Sequence, residues 1–171
     1  SFGQLQIDGA VAPQSYGSLQ APSAYLATDP AEEGRFGLFC AEILEQADRD
    51  IDFARFDNDG PDGLPDSGDD DGVVDVVFLN LASVPPHFLL GNATGIATLG
   101  LETDFVTDDL GVNGQPIRIA TNQGTLQQGR TFVETVGTMC HEYGHVLGLP
   151  DLYDTAFLQT KDPGEPANDS A

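Results

Sequence analysis

The sequence predicts a mixed domain of the α/β (α+β) class, and three observations predict it. Two stretches repeat apolar residues at helical spacing, short β-branched runs lie between them, and 171 residues are enough to bury a single core. Apolar residues make up 40% of the chain, a globular fraction, and none of their runs approaches the length of a membrane span.

Residues 1–28 are rich in Gly, Ser, Gln and Ala. Gln4 to Ile7 reads as a short strand, and Tyr16 and Tyr25 are expected to pack the lead-in onto the body. Asp29-Pro30-Ala31-Glu32 then reads as a helix start: Asp29 can cap, Pro30 suits the first helical position, and Glu32 can reach back. Phe36, Phe39, Cys40, Ile43, Leu44 and Ala47 continue at helical spacing, so a helix is expected over about Pro30–Ala47.

Asp57 to Asp75 reads DNDGPDGLPDSGDDDGVVD, with eight aspartates among glycines and prolines. Alternating carboxylates in a glycine-rich loop can converge on one hard cation, and calcium takes six to eight oxygens. The spacing is not that of an EF-hand. Asp57, Asp59, Asp71 and Asp75 are the first candidates for calcium, with Asp62, Asp66 and Asp69 second. A disordered acidic linker is the alternative; against it, the loop runs directly into the strand pattern Val73–Leu79, which must be anchored.

Between 82 and 130, Ile96–Leu101 and Ile117–Thr121 read as strands, with Asn113-Gly114 as a turn signal between them. One of these strands is a candidate for holding an extended peptide along its edge. His87 is read as a loop histidine, with a third metal ligand as the rival reading.

Phe132, Val136, Met139, Cys140, Tyr143 and Leu147 recur at helical spacing and predict a helix with these residues facing the core. The other face carries His141 and His145, one turn apart, within His-Glu-x-x-His-x-x-Gly-x-x-Asp. Two imidazoles so placed can share one zinc ion, and Glu142 lies a quarter-turn aside, where a carboxylate can act on water without capturing the metal. Gly148 can end the helix in a left-handed conformation and swing Asp151 back as a third, oxygen ligand. Tyr153 is open between a donor near the metal and plain packing, and Asp154 is a candidate for orienting a ligand. Residues 155–171 are expected to be a flexible polar tail.

Six basic residues against 28 acidic ones leave a formal charge of −22, which argues against nucleic acid and anionic membranes as partners. A solvated acidic surface and divalent-cation binding both account for it. Cys40 and Cys140 are each placed on the apolar side of a helix, as two buried thiols or as a disulfide joining the helices.

The run HEYGHVLGLPDLYD closely resembles the active-site segment of the immune inhibitor A family of secreted bacterial zinc metalloproteases. The acidic loop leading into VVDVVFLN, and the helix before it, are similar to that family as well. The likeness covers about residues 30–81 and 131–154. It implies a zincin-like (metzincin-like) fold, with a twisted mixed sheet over two long helices and a cleft between upper and lower subdomains. It implies endopeptidase activity on protein or peptide substrates, His141, His145 and Asp151 as zinc ligands, Glu142 as general base, and a secreted location. The family's methionine turn follows the third ligand, whereas the single methionine here, Met139, precedes it. The chain is therefore expected to be the upper part of a catalytic domain whose lower part is missing. The expected function is a zinc-dependent endopeptidase stabilised by calcium. The alternatives are a zinc- and calcium-binding fragment without turnover and a calcium-stabilised structural domain.

Overall fold

The computed structural model describes residues 9–91 and 93–151. The expected strand at Gln4–Ile7, Tyr153, Asp154 and the tail at 155–171 lie outside the described residues.

The lead-in folds back on the body through its tyrosines. Tyr25 is buried and donates its hydroxyl to the Glu42 carboxylate, and Tyr16 donates to Asp50 Oδ2 at 2.9 Å. A 3-10 turn at Pro22–Ala24 leads to this tyrosine.

The first helix, α1, spans Phe36–Ala47. It starts at Phe36 rather than at Pro30. The Asp29 side chain accepts from Ala31 N at 2.9 Å within a turn, and a tertiary contact overrides the helix signal that follows. Gly34 packs so tightly against the carbonyls of Tyr25, His87 and Phe88 that a Cβ there would stand 2.5–2.7 Å from them. Arg35 N donates to Tyr25 O, closing this junction. From Phe36 on, the apolar face is buried as the spacing predicts: Phe36, Cys40, Leu44 and Ala47 join Tyr25, Phe53, Val74, Phe88, Leu89, Leu99, Ile117, Ile119 and Leu126 in one core, and Ile43 is buried as well.

Five strands follow among the described residues, β1 (Val77–Asn80), β2 (Gly95–Ile96), β3 (Phe105–Leu110), β4 (Pro116–Ile119) and β5 (Gly124–Gln127). One sheet has the order β1-β5-β2, with β1 parallel and β2 antiparallel to β5, so it is mixed. The other is the β3–β4 hairpin, turned at the expected Asn113-Gly114: Gly114 has φ +73°, and Asn113 Oδ1 accepts from Gln115 N at 2.7 Å.

The strand expectations are corrected in extent. Val73–Leu79 divides between two partners, because Val73 bridges to Arg118 and only Val77–Asn80 pairs with β5. Ile96–Leu101 shrinks to Gly95–Ile96, since Thr98 Oγ1 caps Gly100 N in a turn where Gly100 has φ +65°. β3 and β5 carry no strand signal in the sequence reading. β5 is Gly-Thr-Leu-Gln, and all four residues are buried. Its polar side chains are satisfied internally, Thr125 Oγ1 donating to Gln127 Oε1 at 2.6 Å and Gln127 Nε2 to Asn80 Oδ1 at 2.9 Å.

The second helix, α2, spans Phe132–Val146 and packs on β5 and β2. Thr131 and Glu134 form a reciprocal capping box: Thr131 Oγ1 accepts from Glu134 N, and Glu134 Oε2 accepts from Thr131 N, each at 3.2 Å. The expected core face is corrected. Phe132 is 82% exposed, Leu147 is 51% exposed and Cys140 is exposed, while Val136, Met139 and Tyr143 are half-buried. Thr138 and Glu142 instead face Gly95 of β2, and Glu142 is the helix's one buried residue among those described. Tyr143 meets Phe78 edge-on, with ring centroids 5.4 Å apart.

The two cysteines are free, with Cys40 buried and Cys140 exposed, so neither the disulfide nor the pair of buried thiols is found. Burial pushes the Cys40 thiol up to about 12.

Candidate active site

The histidine pair lies on the last turns of α2. Gly148, at φ +83°, ends the helix in a backbone region that a Cβ disfavours, and the chain doubles back with Gly148 N donating to His145 O and Leu149 N to Gly144 O, each at 2.9 Å. The turn delivers Asp151 to the histidines. His141 Nε2 and His145 Nε2 are 3.2 Å apart, and Asp151 Oδ1 lies 3.3 Å from the first and 3.1 Å from the second. A tetrahedral site with metal–ligand bonds of about 2.05 Å has edges of about 3.3 Å. The three atoms therefore sit at the spacing of one triangular face of such a site, and they can hold a metal ion.

The ring of His145 is fixed from behind. Its Nδ1 is 2.8 Å from Leu149 O, an acceptor only, so Nδ1 carries the proton and Nε2 turns its lone pair to His141 and Asp151. This carbonyl raises the His145 pKa most; burial opposes it, and the charges of Asp151 and Glu142 add to the rise.

Glu142 stands on the neighbouring face, 8% exposed. Burial raises its pKa, the histidines lower it, and the Asp151 charge raises it. It lines a cleft of about 450 Å³ together with His141, Gly137 and Thr138 of α2 and Ala93, Thr94 and Gly95 at the start of β2. The wall opposite α2 is thus an outer strand of the mixed sheet. Gln128 N donates to Thr94 O at 2.8 Å, and Gly95 stands opposite Gln127. In this antiparallel register the next peptide group is reversed, so Gly95 N–H and C=O point away from β5 and along the open edge.

His87 is not among the clustered ligands; it holds a turn at φ +68°, and its carbonyl accepts from Ala27 N at 2.8 Å.

The acidic loop is built from its own side chains. Asp62 Oδ1 accepts from Leu64 N, Asp71 Oδ1 from Val73 N and Asp70 Oδ1 from Gly60 N, each at 2.8 Å. Asp66 Oδ1 accepts from Val112 N at 2.6 Å, tying the loop to the β3–β4 turn. Ser67 donates its hydroxyl to Asp69, which lowers the Asp69 pKa. Such anchoring favours an ordered loop over the linker alternative for this stretch.

Three carboxylates of the loop converge: Asp57, Asp59 and Asp70. Asp57 and Asp59 were expected. Asp70 was not, because one aspartate in the run Asp69-Asp70-Asp71 cannot be told from its neighbours until the backbone direction is known. Asp71 and Asp75 stand outside this cluster, although the Asp71 charge acts on Asp57; burial raises the Asp75 pKa first, and Asp59, Asp70 and Asp71 add to it. Asp57 is 1% exposed; its Oδ2 accepts from Gly72 N at 3.0 Å, and its Oδ1 has no hydrogen-bond partner among the described residues. Burial pushes Asp57 up to about 6.

The family model of the immune inhibitor A peptidase M6 catalytic domain matches residues 6–167, nearly the whole chain. The chain belongs to the immune inhibitor A peptidase family. It is a metallopeptidase catalytic domain, its family membership implies a bound metal, and its substrates are proteins or peptides. Among curated proteins, none matches the chain. The peptidase domain has no helix, among the described residues, that is long and apolar enough to cross a membrane.

Proposed function

We propose that the peptidase domain is a zinc-dependent endopeptidase of zincin-like fold, acting outside the cell, in which His141, His145 and Asp151 hold the metal and Glu142 is the general base. The observation that carries this reading is the triangle of Nε2, Nε2 and Oδ1 atoms at 3.1–3.3 Å, set beside a buried carboxylate that is not part of it. Two imidazoles and one carboxylate form a donor set suited to catalytic zinc, which keeps a fourth position open. When bound there, zinc supplies a lowered water pKa and a polarised scissile carbonyl.

The protein's own groups do the rest. Glu142 accepts the proton of the attacking water and returns it to the leaving amine. Burial, by raising its pKa towards the working range, makes the return step easier. The open edge of β2 offers Gly95 N–H and C=O to the main chain of an extended peptide, which would then run beside Glu142 along the cleft. Leu149 O keeps His145 in the tautomer that presents Nε2.

Calcium is the second cofactor of this reading. Asp57, Asp59 and Asp70 converge, and the lone Oδ1 of Asp57, buried beside like charges, is an oxygen that a bound cation would compensate. The cation would lock the loop that leads into β1.

Glu142→Gln tests the catalytic assignment. The variant should bind zinc with unchanged stoichiometry, measured by metal analysis after dialysis, yet lose about 10²–10⁴-fold in peptide-bond hydrolysis. Wild-type turnover in that variant would end the proposal.

A further inference from the structure

The close approach of β2 to α2 is set by a residue with no side chain. A Cβ built on Gly95 would stand 2.5 Å from Glu142 Oε1, 2.6 Å from Thr138 Cγ2 and 2.8 Å from Glu142 Cγ. All three distances are shorter than a carbon tolerates, so something must move. The backbone of Gly95 does not itself demand glycine, because its φ is not positive. Two of the three obstructing atoms belong to the Glu142 side chain, which can move to another staggered rotamer, while the helix backbone and the Gly95–Gln127 pairing need not shift. The cheapest relief is therefore to rotate Glu142 out of its place against the strand.

We infer that Gly95 is a positioning residue for Glu142: by withholding a side chain, the edge strand lets the carboxylate lie in the cleft wall, and it limits where that carboxylate can go. This rests on the proposed role of Glu142 and extends it. Thr138, one helical turn before Glu142 on the same face of α2, lines the same cleft, and its methyl and the Glu142 side chain both stand against the Gly95 backbone. The same face of Gly95 that admits Glu142 is perpendicular to the strand edge, which leaves the main-chain N–H and C=O of Gly95 unaltered by an added methyl.

The test is Gly95→Ala in the zinc-loaded protein. A misplacement of about 1 Å at a reacting group costs about 10²-fold in rate, so kcat should fall by about that factor, with KM and zinc affinity within about twofold of the parent. A crystal structure of the variant should show the Glu142 carboxylate displaced and the β2–β5 pairing kept. Adding Thr138→Ser, which removes the methyl at 2.6 Å, should return part of the lost kcat. An unmoved Glu142, a kcat equal to the parent's, or a loss confined to KM would overturn the inference. So would failure of both Gly95→Ala and Gly95→Ala/Thr138→Ser to fold, since Gly95 would then serve packing alone. The two readings separate cleanly. A fully active Glu142→Gln removes the proposed function, whereas an inactive Glu142→Gln beside a fully active Gly95→Ala removes only the role of Gly95. If turnover is too slow to follow, the position of Glu142 in the crystal decides.

Discussion

The two helices are alike in sequence pattern and opposite in use. α1 buries Phe36, Cys40, Glu42, Ile43, Leu44 and Ala47, whereas α2 buries Glu142 alone. Both pack against strands, but α1 does so with its apolar stripe, whereas α2 meets β2 with Thr138 and Glu142 and β1 with the ring of Tyr143. A helix that must present ligands and a base on the side facing a cleft cannot also fill that side with leucine. What holds it has to come from its ends, from the turn after it and from whatever its histidines bind.

This contrast can be broken by experiment, and the largest effect belongs to α1. Leu44→Ala, at a site 1% exposed, should destabilise by about 2–5 kcal/mol, while Leu147→Ala at the end of α2 should stay within about 0.5 kcal/mol. Urea unfolding of both variants measures the difference; equal losses would erase the contrast. Next comes the metal. Free zinc at about 100 times its Kd should stabilise the folded state by about 2.7 kcal/mol, and His145→Ala should abolish that shift in a thermal melt.

The acidic loop gives a prediction in pH. Asp57 rises from an ordinary 3.8 to about 6 in the folded state. Between those values the folded protein binds more protons than the unfolded one, so metal-free stability should fall as pH rises through about 4 to about 6. Denaturant melts in chelator should show the fall, Asp57→Asn should flatten it, and calcium at neutral pH should raise the melting temperature of the parent more than that of Asp57→Asn. The smallest effect is expected at the start of α2, where Thr131→Ala removes half of the capping box and should cost about 1 kcal/mol.

The candidate metal cluster was legible because it is local. His141, His145 and Asp151 are brought together by one helix and one turn, and Gly148 announces that turn. The core face of α1 was legible for the same reason, since every residue of it points towards apolar neighbours. The burial of Glu142 on α2 was not legible because it depends on Gly95, far away in the chain, where a missing side chain leaves room for it. β5 escaped notice because a strand buried on both sides, with its polar groups bonded to one another, shows neither alternation nor an apolar run. Asp70 escaped because convergence in a loop depends on backbone turns that composition does not encode. The Thr131-x-x-Glu134 signal was present in the sequence and would have fixed the start of α2.

The bend at Gly148 has one more consequence. A single backbone reversal supplies both the oxygen donor of the triad and, through the carbonyl of Leu149, the proton anchor of the second imidazole. Lengthening that bend by one residue would therefore displace two of the three proposed ligands together. Evolution, or an engineer, can lengthen the loops around this helix far more freely than the four residues from Gly148 to Asp151.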